Sequence, residues 1–236
     1  MIKAIGFDLD DTLYDRSISY KNVFDLMQAR IKPLPVTYEE FYPRFEYYSN
    51  LEYESFIRGE KSEWDYKVQR VLSTYESFDH PIDREEAIIY TGLYLFFQEN
   101  LVLRPGMVEL LDRLRDQAVD LFILTNGPSD SQRKKIKQLG LDKWIDEKNW
   151  FISEELDATK PEANIFKKVE RQIGHNGEDV LYIGDNYRND IEGAHQVDWQ
   201  SIYLNVHGET SKGYEQAEVE TVQEMATALN KVLQLK

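Results

Sequence analysis

Five short apolar runs, each leading into polar residues, recur along the chain and are separated by stretches of helical periodicity. They are "KAIGFDL" (residues 3–9), "VDLFILTNG" (119–127), "WFIS" (150–153), "VLYIGDN" (180–186) and "SIYLN" (201–205). Runs this short suit a strand better than a helix, and the near-continuous apolarity is that of a strand buried on both faces of a parallel sheet. Between them "PGMVELLDRLRDQ" opens at Pro105, "SDSQRKKIKQLG" runs from a Ser129 or Asp130 cap to Gly140, and "PEANIFKKVERQIG" runs from Pro161 to Gly174. Strands alternating with helices predict an α/β fold, a Rossmann-like doubly wound parallel sheet covered on both faces. Near the carboxyl end, "EVETVQEMATALNKVLQL" predicts a short strand and then a helix opened by a capping box from Thr221 to Glu224.

Residues 16–98 break the alternation. They read as consecutive helices, "SISYKNVFDLMQARI", "YEEFYPRFEYYSNLEYESFIRG", "SEWDYKVQRVLSTY" and "REEAIIYTGLYLFFQEN", punctuated at "KPLP", Gly59 and "DHPID". The expected organisation is therefore a sheet domain made of residues 1–15 and 99–236, with an all-helical domain, residues 16–98, inserted after the first strand. The insert holds 18 of the 30 aromatic residues, among them Tyr47, Tyr48, Trp64 and Tyr94. Aromatics on periodic faces are chiefly core, with a few expected to face a ligand.

Composition narrows the chemistry. The chain has no cysteine, which excludes disulfides, thiolate metal ligands and cysteine nucleophiles. Its 43 acidic and 28 basic residues give a net charge of −15, a field that repels nucleic acid and anionic membranes, so neither is expected as a partner. A small anionic substrate then needs a local cation. No stretch reaches the ~18 apolar residues of a membrane span, and the expectation is a cytoplasmic monomer or homodimer.

Ligands of an open parallel sheet sit beyond the carboxyl ends of its strands. Asp8, Asp10 and Thr12 follow the first run, Thr125 and Asn126 the second, and Asp185, Asn186 and Asp190 the fourth; Lys160 lies in the loop "DATKPE" before a helix. Carboxylates gathered in one crevice would repel one another and an anionic substrate. With an amine and a hydroxyl beside them, they make physical sense around a divalent cation and a phosphoryl group. Oxygen ligands favour magnesium.

"DLDDT", then "ILTN", then "KP", then "GDNYRND" is an ordered set that resembles the four motifs of the haloacid dehalogenase superfamily, in its helical-cap phosphatase branch. The resemblance spans nearly the whole chain and rests on the order of the set, since each piece alone is common. It implies a magnesium-dependent phosphatase acting on a small phosphate ester, with nucleoside monophosphates and sugar phosphates as candidates. It further implies that Asp8 is a nucleophile forming an aspartyl-phosphate and Asp10 the general acid and base. Mg2+ would be held by the Asp8 carboxylate, the Asp10 backbone carbonyl and Asp185. Thr125, the Asn126 amide and Lys160 would bind the phosphoryl group, with Asp190 orienting Lys160 or metal-bound water from behind. The cap would open and close about hinges near residues 14–17 and 99–103. Asp10 sets the chain apart from true haloacid dehalogenases, and Thr12 makes it more like phosphatases than sugar phosphomutases. One departure falls at Val197 and Asp198, where the family often carries an alanine-glycine pair. A phosphomutase of the same fold and a non-catalytic phosphate-responsive binding protein are the alternatives. A response-regulator receiver domain is disfavoured because its phosphorylated aspartate follows the third strand.

The remaining polar residues take structural readings. Asp11 and Asp15 are expected to be solvated turn carboxylates, Thr12 a turn cap and Asp130 a helix cap. The basic run "RKKIK" (133–137) is expected to be a solvated helix face. His80, His175, His195 and His207 show no ligand spacing and are given no role.

Overall fold

The computed structural model describes residues 1–234. The described residues form two compact units, residues 1–15 with 101–234 and residues 16–100. In the first, β1 (Ala4–Phe7), β2 (Asp120–Thr125), β3 (Trp150–Ile152), β4 (Val180–Gly184), β5 (Gln200–Leu204) and β6 (Ala217–Val219) make one sheet in the order β3-β2-β1-β4-β5-β6. Every pairing is parallel. The chain builds outward from β1 to β3, then returns to the other side of β1 for β4. Strand order therefore reverses at β1 and β4, and the carboxyl ends of these two strands form the crevice where an α/β sheet binds ligands.

Period-two alternation divides the strand side chains between two cores. Ile5, Phe7, Ile123 and Ile183 pack with Met107, Leu110, Leu111 and Leu114 of the helix Met107–Arg115 and with Met225 and Leu229 of the helix Val222–Val232. Ala4, Phe122, Leu124 and Tyr182 pack on the opposite side with Ile165, Phe166 and Val169 of the helix Ala163–Ile173. This is the doubly wound α/β fold expected from the apolar runs.

Close packing requires small residues at two strand positions. A Cβ at Gly6 would stand 2.2 Å from the Phe122 ring, and one at Gly184 would stand 2.3 Å from the Asp190 carboxyl carbon. Asp198 takes the left-handed conformation at φ 65°. The turn that the family often builds with glycine is closed here by an aspartate, a residue that tolerates this region better than most. The predicted capping box forms by half. Thr221 Oγ1 accepts from the Glu224 amide at 3.2 Å, whereas the Glu224 carboxylate accepts from the Glu220 amide rather than from that of Thr221. The helix Ser129–Gln138 has Pro128 at its N-cap position and no side-chain cap, so neither Ser129 nor Asp130 fills that role.

The second unit holds α1 (Arg16–Leu26), α2 (Tyr38–Ile57), α3 (Glu63–Glu76) and α4 (Arg84–Phe97). Capping boxes start α2 (Thr37 with Glu40) and α4 (Asp83 with Glu86), and Ser62 caps α3. Each such cap contributes ~1 kcal/mol. The core of the unit is aromatic: Tyr20 and Phe24 of α1, Phe41 and Phe45 of α2, Tyr75 of α3, and Tyr90 and Tyr94 of α4. Burying a side chain of this size stabilises by roughly 1.5–3 kcal/mol, so these rings are the main reason that the four helices hold together. Tyr47 and Trp64 are exposed instead. Among the described residues no helix is long and apolar enough to cross a membrane.

With the helices in chain order, the sheet unit continues as α5 (Met107–Arg115), α6 (Ser129–Gln138), α7 (Ser153–Leu156), α8 (Ala163–Ile173), α9 (Gly193–His195) and α10 (Val222–Val232).

Candidate active site

Parallel register sets the site. Phe7 is level with Ile183 on β4 and with Ile123 on β2, so the residues that follow emerge at one end of the sheet. Asp8 extends the ladder by one bond, its amide donating to the Ile183 carbonyl at 2.8 Å. Asp185 follows Gly184 on the neighbouring strand. Asp8 and Asp185 are 7% and 6% exposed, and Asp190 is fully buried. The ligand atoms of these three carboxylates lie within 4.8 Å of one another.

Lys160 sits among them. Its Nζ donates to Asp8 Oδ1 at 2.6 Å, to Asp190 Oδ1 at 2.6 Å and to the Tyr182 hydroxyl at 2.9 Å. That hydroxyl donates in turn to the Leu124 carbonyl at 2.6 Å. The Lys160–Pro161 peptide is cis. The Asn126 side chain braces this loop reciprocally: Oδ1 accepts from the Lys160 amide at 2.9 Å, and Nδ2 donates to the Lys160 carbonyl at 3.0 Å. Asp190 Oδ2 accepts from the Asn186 amide at 2.9 Å, so both its oxygens are engaged within the protein.

Electrostatics follow from this crowding. Burial pushes the Asp8 carboxyl well above the usual carboxylate range; Lys160 pulls it down, and Asp190 and Asp185 push it up again. Burial raises the Asp185 carboxyl to about 6, opposed by a hydrogen bond from His207 and reinforced by Asp11 and Asp190. For Lys160, burial opposes the charge, but Asp190 and Asp8 outweigh it and hold the pKa well above that of an ordinary lysine. With all three carboxylates ionised, the single ammonium, paired with Asp8 and Asp190, leaves the cluster two charges negative. A divalent cation balances that, and the hard oxygen donors fit magnesium.

Asp10 occupies a different environment. Lys135 Nζ of α6 donates to its Oδ1 at 2.7 Å and its Oδ2 at 3.0 Å, Gln132 Nε2 donates to Oδ2 at 2.8 Å, and the Tyr14 hydroxyl donates to Oδ1. The side chain therefore points to α6, and any share that Asp10 takes in a metal site falls to its backbone carbonyl. Gln132 Nε2 also reaches Thr125 Oγ1 at 2.6 Å, joining Thr125 to Asp10 through one amide.

Several structural expectations are corrected by these contacts. Lys135 is nearly buried against Asp10 rather than part of a solvated face. Asp11 is 1% exposed with φ 62°, and Arg104 donates to its carbonyl from Nε at 3.2 Å and Nη2 at 2.8 Å, pinning the turn to the far end of the insertion. Thr12 does not cap the turn; its Oγ1 donates to Asp185 Oδ1 at 3.0 Å. His207, given no role, has Nε2 3.1 Å from Asp185 Oδ2. Asp15 is partly exposed and pairs with Arg104. Gln132, Tyr14 and Tyr182 were missed outright. The one available sign for α6 was spacing, since Gln132 and Lys135 stand three apart, beside the apolar Ile136, and so share a helical face.

The sequence matches the family of haloacid dehalogenase-like hydrolases over residues 2–198. The glyceraldehyde 3-phosphate phosphatase of Methanothermobacter thermautotrophicus is 26% identical over 212 residues, covering 87% of this chain and 86% of that protein. The pyrimidine 5′-nucleotidase PynA of Streptococcus pneumoniae is 33% identical over 133 residues, 55% of each protein. Among solved structures, the HAD-hydrolase YfnB of Bacillus subtilis, bound to magnesium, superposes with a TM-score of 0.77 at 22% identity, covering 99% of both chains. The matched span runs through every strand-end motif described above, and this chain belongs to the haloacid dehalogenase-like hydrolase family.

Proposed function

We propose that this chain, a hydrolase of phosphoric monoesters, transfers the phosphoryl group of a small phosphorylated metabolite to Asp8 and then to water. The observation that carries the reading is the buried cluster at the switch point, in which Lys160 bridges Asp8 and Asp190 at 2.6 Å beside Asp185. Asp8, Asp185 and the Asp10 carbonyl would hold Mg2+, which when bound would neutralise charge on the transferring group.

An Asp8 oxygen attacks phosphorus in line, the bond to the ester oxygen breaks, and Asp10 delivers a proton to that leaving oxygen. Asp10 then takes a proton from the water that attacks the aspartyl-phosphate, releasing phosphate and restoring Asp8. Lys135, Gln132 and Tyr14 all donate to Asp10 and so fix the orientation of its carboxyl. Lys160 offsets negative charge on Asp8 and on the phosphoryl oxygens, while Thr125 Oγ1 and the Asn126 amide bind those oxygens. Asp190 holds Lys160 in place. The groups named here meet only the phosphoryl end of a substrate, so the choice among esters lies with residues outside this set.

The named relatives act on small phosphate esters, including a triose phosphate and pyrimidine 5′-nucleotides. That supports a phosphorylated metabolite of comparable size. The test is phosphate release from p-nitrophenyl phosphate and from a panel of sugar phosphates and nucleoside monophosphates, with Mg2+ and with chelator. Turnover that requires Mg2+ and vanishes in a folded Asp8→Asn protein is expected; wild-type-like turnover by that variant would remove Asp8 from its role.

A further inference from the structure

The helical unit buries a guanidinium that nothing in the catalytic account uses. Arg70 of α3 is 5% exposed, and its Cζ lies 5.0 Å from the ring centroids of Phe45 and Tyr94, 5.5 Å from Tyr20 and 5.9 Å from Tyr66. Nη1 donates to the Tyr20 hydroxyl at 3.3 Å, but Nε and Nη2 have no acceptor. Among the described residues no carboxylate pairs with it.

Aromatic rings attract the charge of a guanidinium, yet they do not answer hydrogen-bond donors that lie in its plane. Nε and Nη2 are the two nitrogens of one edge, the edge that receives two oxygens of a carboxylate or phosphate in parallel bonds. The Tyr90 hydroxyl of α4 is also buried without a partner, one helical turn before Tyr94. Ser49 Oγ, one turn beyond Phe45 on α2, is the same. Unsatisfied polar atoms therefore come from α2, α3 and α4, the helices that supply the Phe45, Tyr66 and Tyr94 rings around Arg70. Tyr66 keeps 7% exposure whereas Phe45 and Tyr90 keep none, which marks Tyr66 as the rim.

We propose that Arg70, within its box of Tyr20, Phe45, Tyr66 and Tyr94, is a binding site for an oxyanion, a carboxylate or phosphate group carried by a small organic molecule, which it grips through Nε and Nη2. The site belongs to the helical unit itself and does not depend on the phosphoryl-transfer scheme.

The test uses the full-length Asp8→Asn protein, so that no ligand is consumed. Calorimetric titrations with 3-phosphoglycerate, glycerol 3-phosphate and succinate are repeated in Arg70→Met and Arg70→Lys backgrounds, with circular dichroism as the folding control. In the parent, binding of succinate, and tighter binding of 3-phosphoglycerate than of glycerol 3-phosphate, are the expected results. Both substitutions are expected to weaken this carboxylate-dependent binding by about tenfold or more, since Met removes the charge and Lys keeps it but loses the fork. The Arg70 Nε–H resonance should also shift on addition of the ligand, a readout that needs no variant. Carboxylate-dependent binding that survives in Arg70→Met, or an Nε–H resonance unmoved by all three probes, would overturn the proposal.

Discussion

Replacing Lys160 by methionine keeps most of the side-chain volume and removes the ammonium, and its consequence can be worked from the contacts. The lysine side chain is 2% exposed and touches Asp8 and Asp190, themselves 9% and 0% exposed at the side chain, so water cannot take over its work. Removing one partner of a buried ion pair costs about 3–5 kcal/mol, because the surviving charge is left without compensation. For a protein of this size that corresponds to a fall in Tm of roughly 6–20 °C. The assay is thermal and urea unfolding of Lys160→Met at pH 8 in chelator, beside wild type. A second substitution, Asp190→Asn, should recover part of the loss by removing one stranded carboxylate. Added Mg2+ should recover more, by mass action on the folded state. A Lys160→Met protein that melts within ~2 °C of wild type in chelator would show that Lys160 is not the counter-charge of the cluster.

Metal-free wild type should also show a pH dependence of known sign. Asp185 titrates at about 6 when folded against 3.8 in the free residue, so the folded state binds the proton more tightly. Its ionisation then opposes folding, and the contribution of Asp185 to stability should fall by up to ~3 kcal/mol as pH rises from about 4 to about 6; urea titrations of wild type beside Asp185→Asn, both in chelator, measure this, and a difference between them that does not change over that window would contradict it. Lys135→Met should lower turnover of p-nitrophenyl phosphate by about tenfold or more, because it removes the two bonds that hold the Asp10 carboxyl in place; wild-type turnover in a folded variant would reduce Lys135 to a structural role. Gly184→Ala drives a methyl into Asp190 and should cost ~1–3 kcal/mol in urea unfolding, with turnover falling as Lys160 loses its seat. Asn126→Ala removes both bonds to the Lys160 backbone and should reduce turnover of p-nitrophenyl phosphate more than it reduces stability, which comparison of kcat with the urea midpoint decides.

The fold was legible because burial on two faces writes itself into composition: β1 and β4 are nearly continuous apolar runs, and strand order follows from alternation with helices. The motif residues were legible for a related reason, since Asp8, Thr125 and Asp185 leave the sheet at strand ends and need no knowledge of side-chain direction. What stayed hidden depends on direction. "RKKIK" offers four cations, and only packing of α6 against the sheet turns Lys135 toward Asp10. Tyr182 reads as one more apolar strand residue until its hydroxyl is placed on Lys160. His207 lies past β5, far in sequence from Asp185, and no spacing rule links them. Asp11 looks solvated in any acidic turn, and its burial follows from the Arg104 anchor, which is 93 residues away in the chain. Arg70 sits amid helical periodicity where an arginine ordinarily faces water.

Covalent capture of the phosphoryl group tests the scheme most directly. Enzyme quenched in acid during turnover of p-nitrophenyl phosphate with Mg2+, digested and read by tandem mass spectrometry, should carry the phosphoryl group on Asp8 within the peptide containing "FDLDDTL". A phosphoryl group on another residue, or none while phosphate accumulates at the same rate, would contradict an aspartyl-phosphate at Asp8.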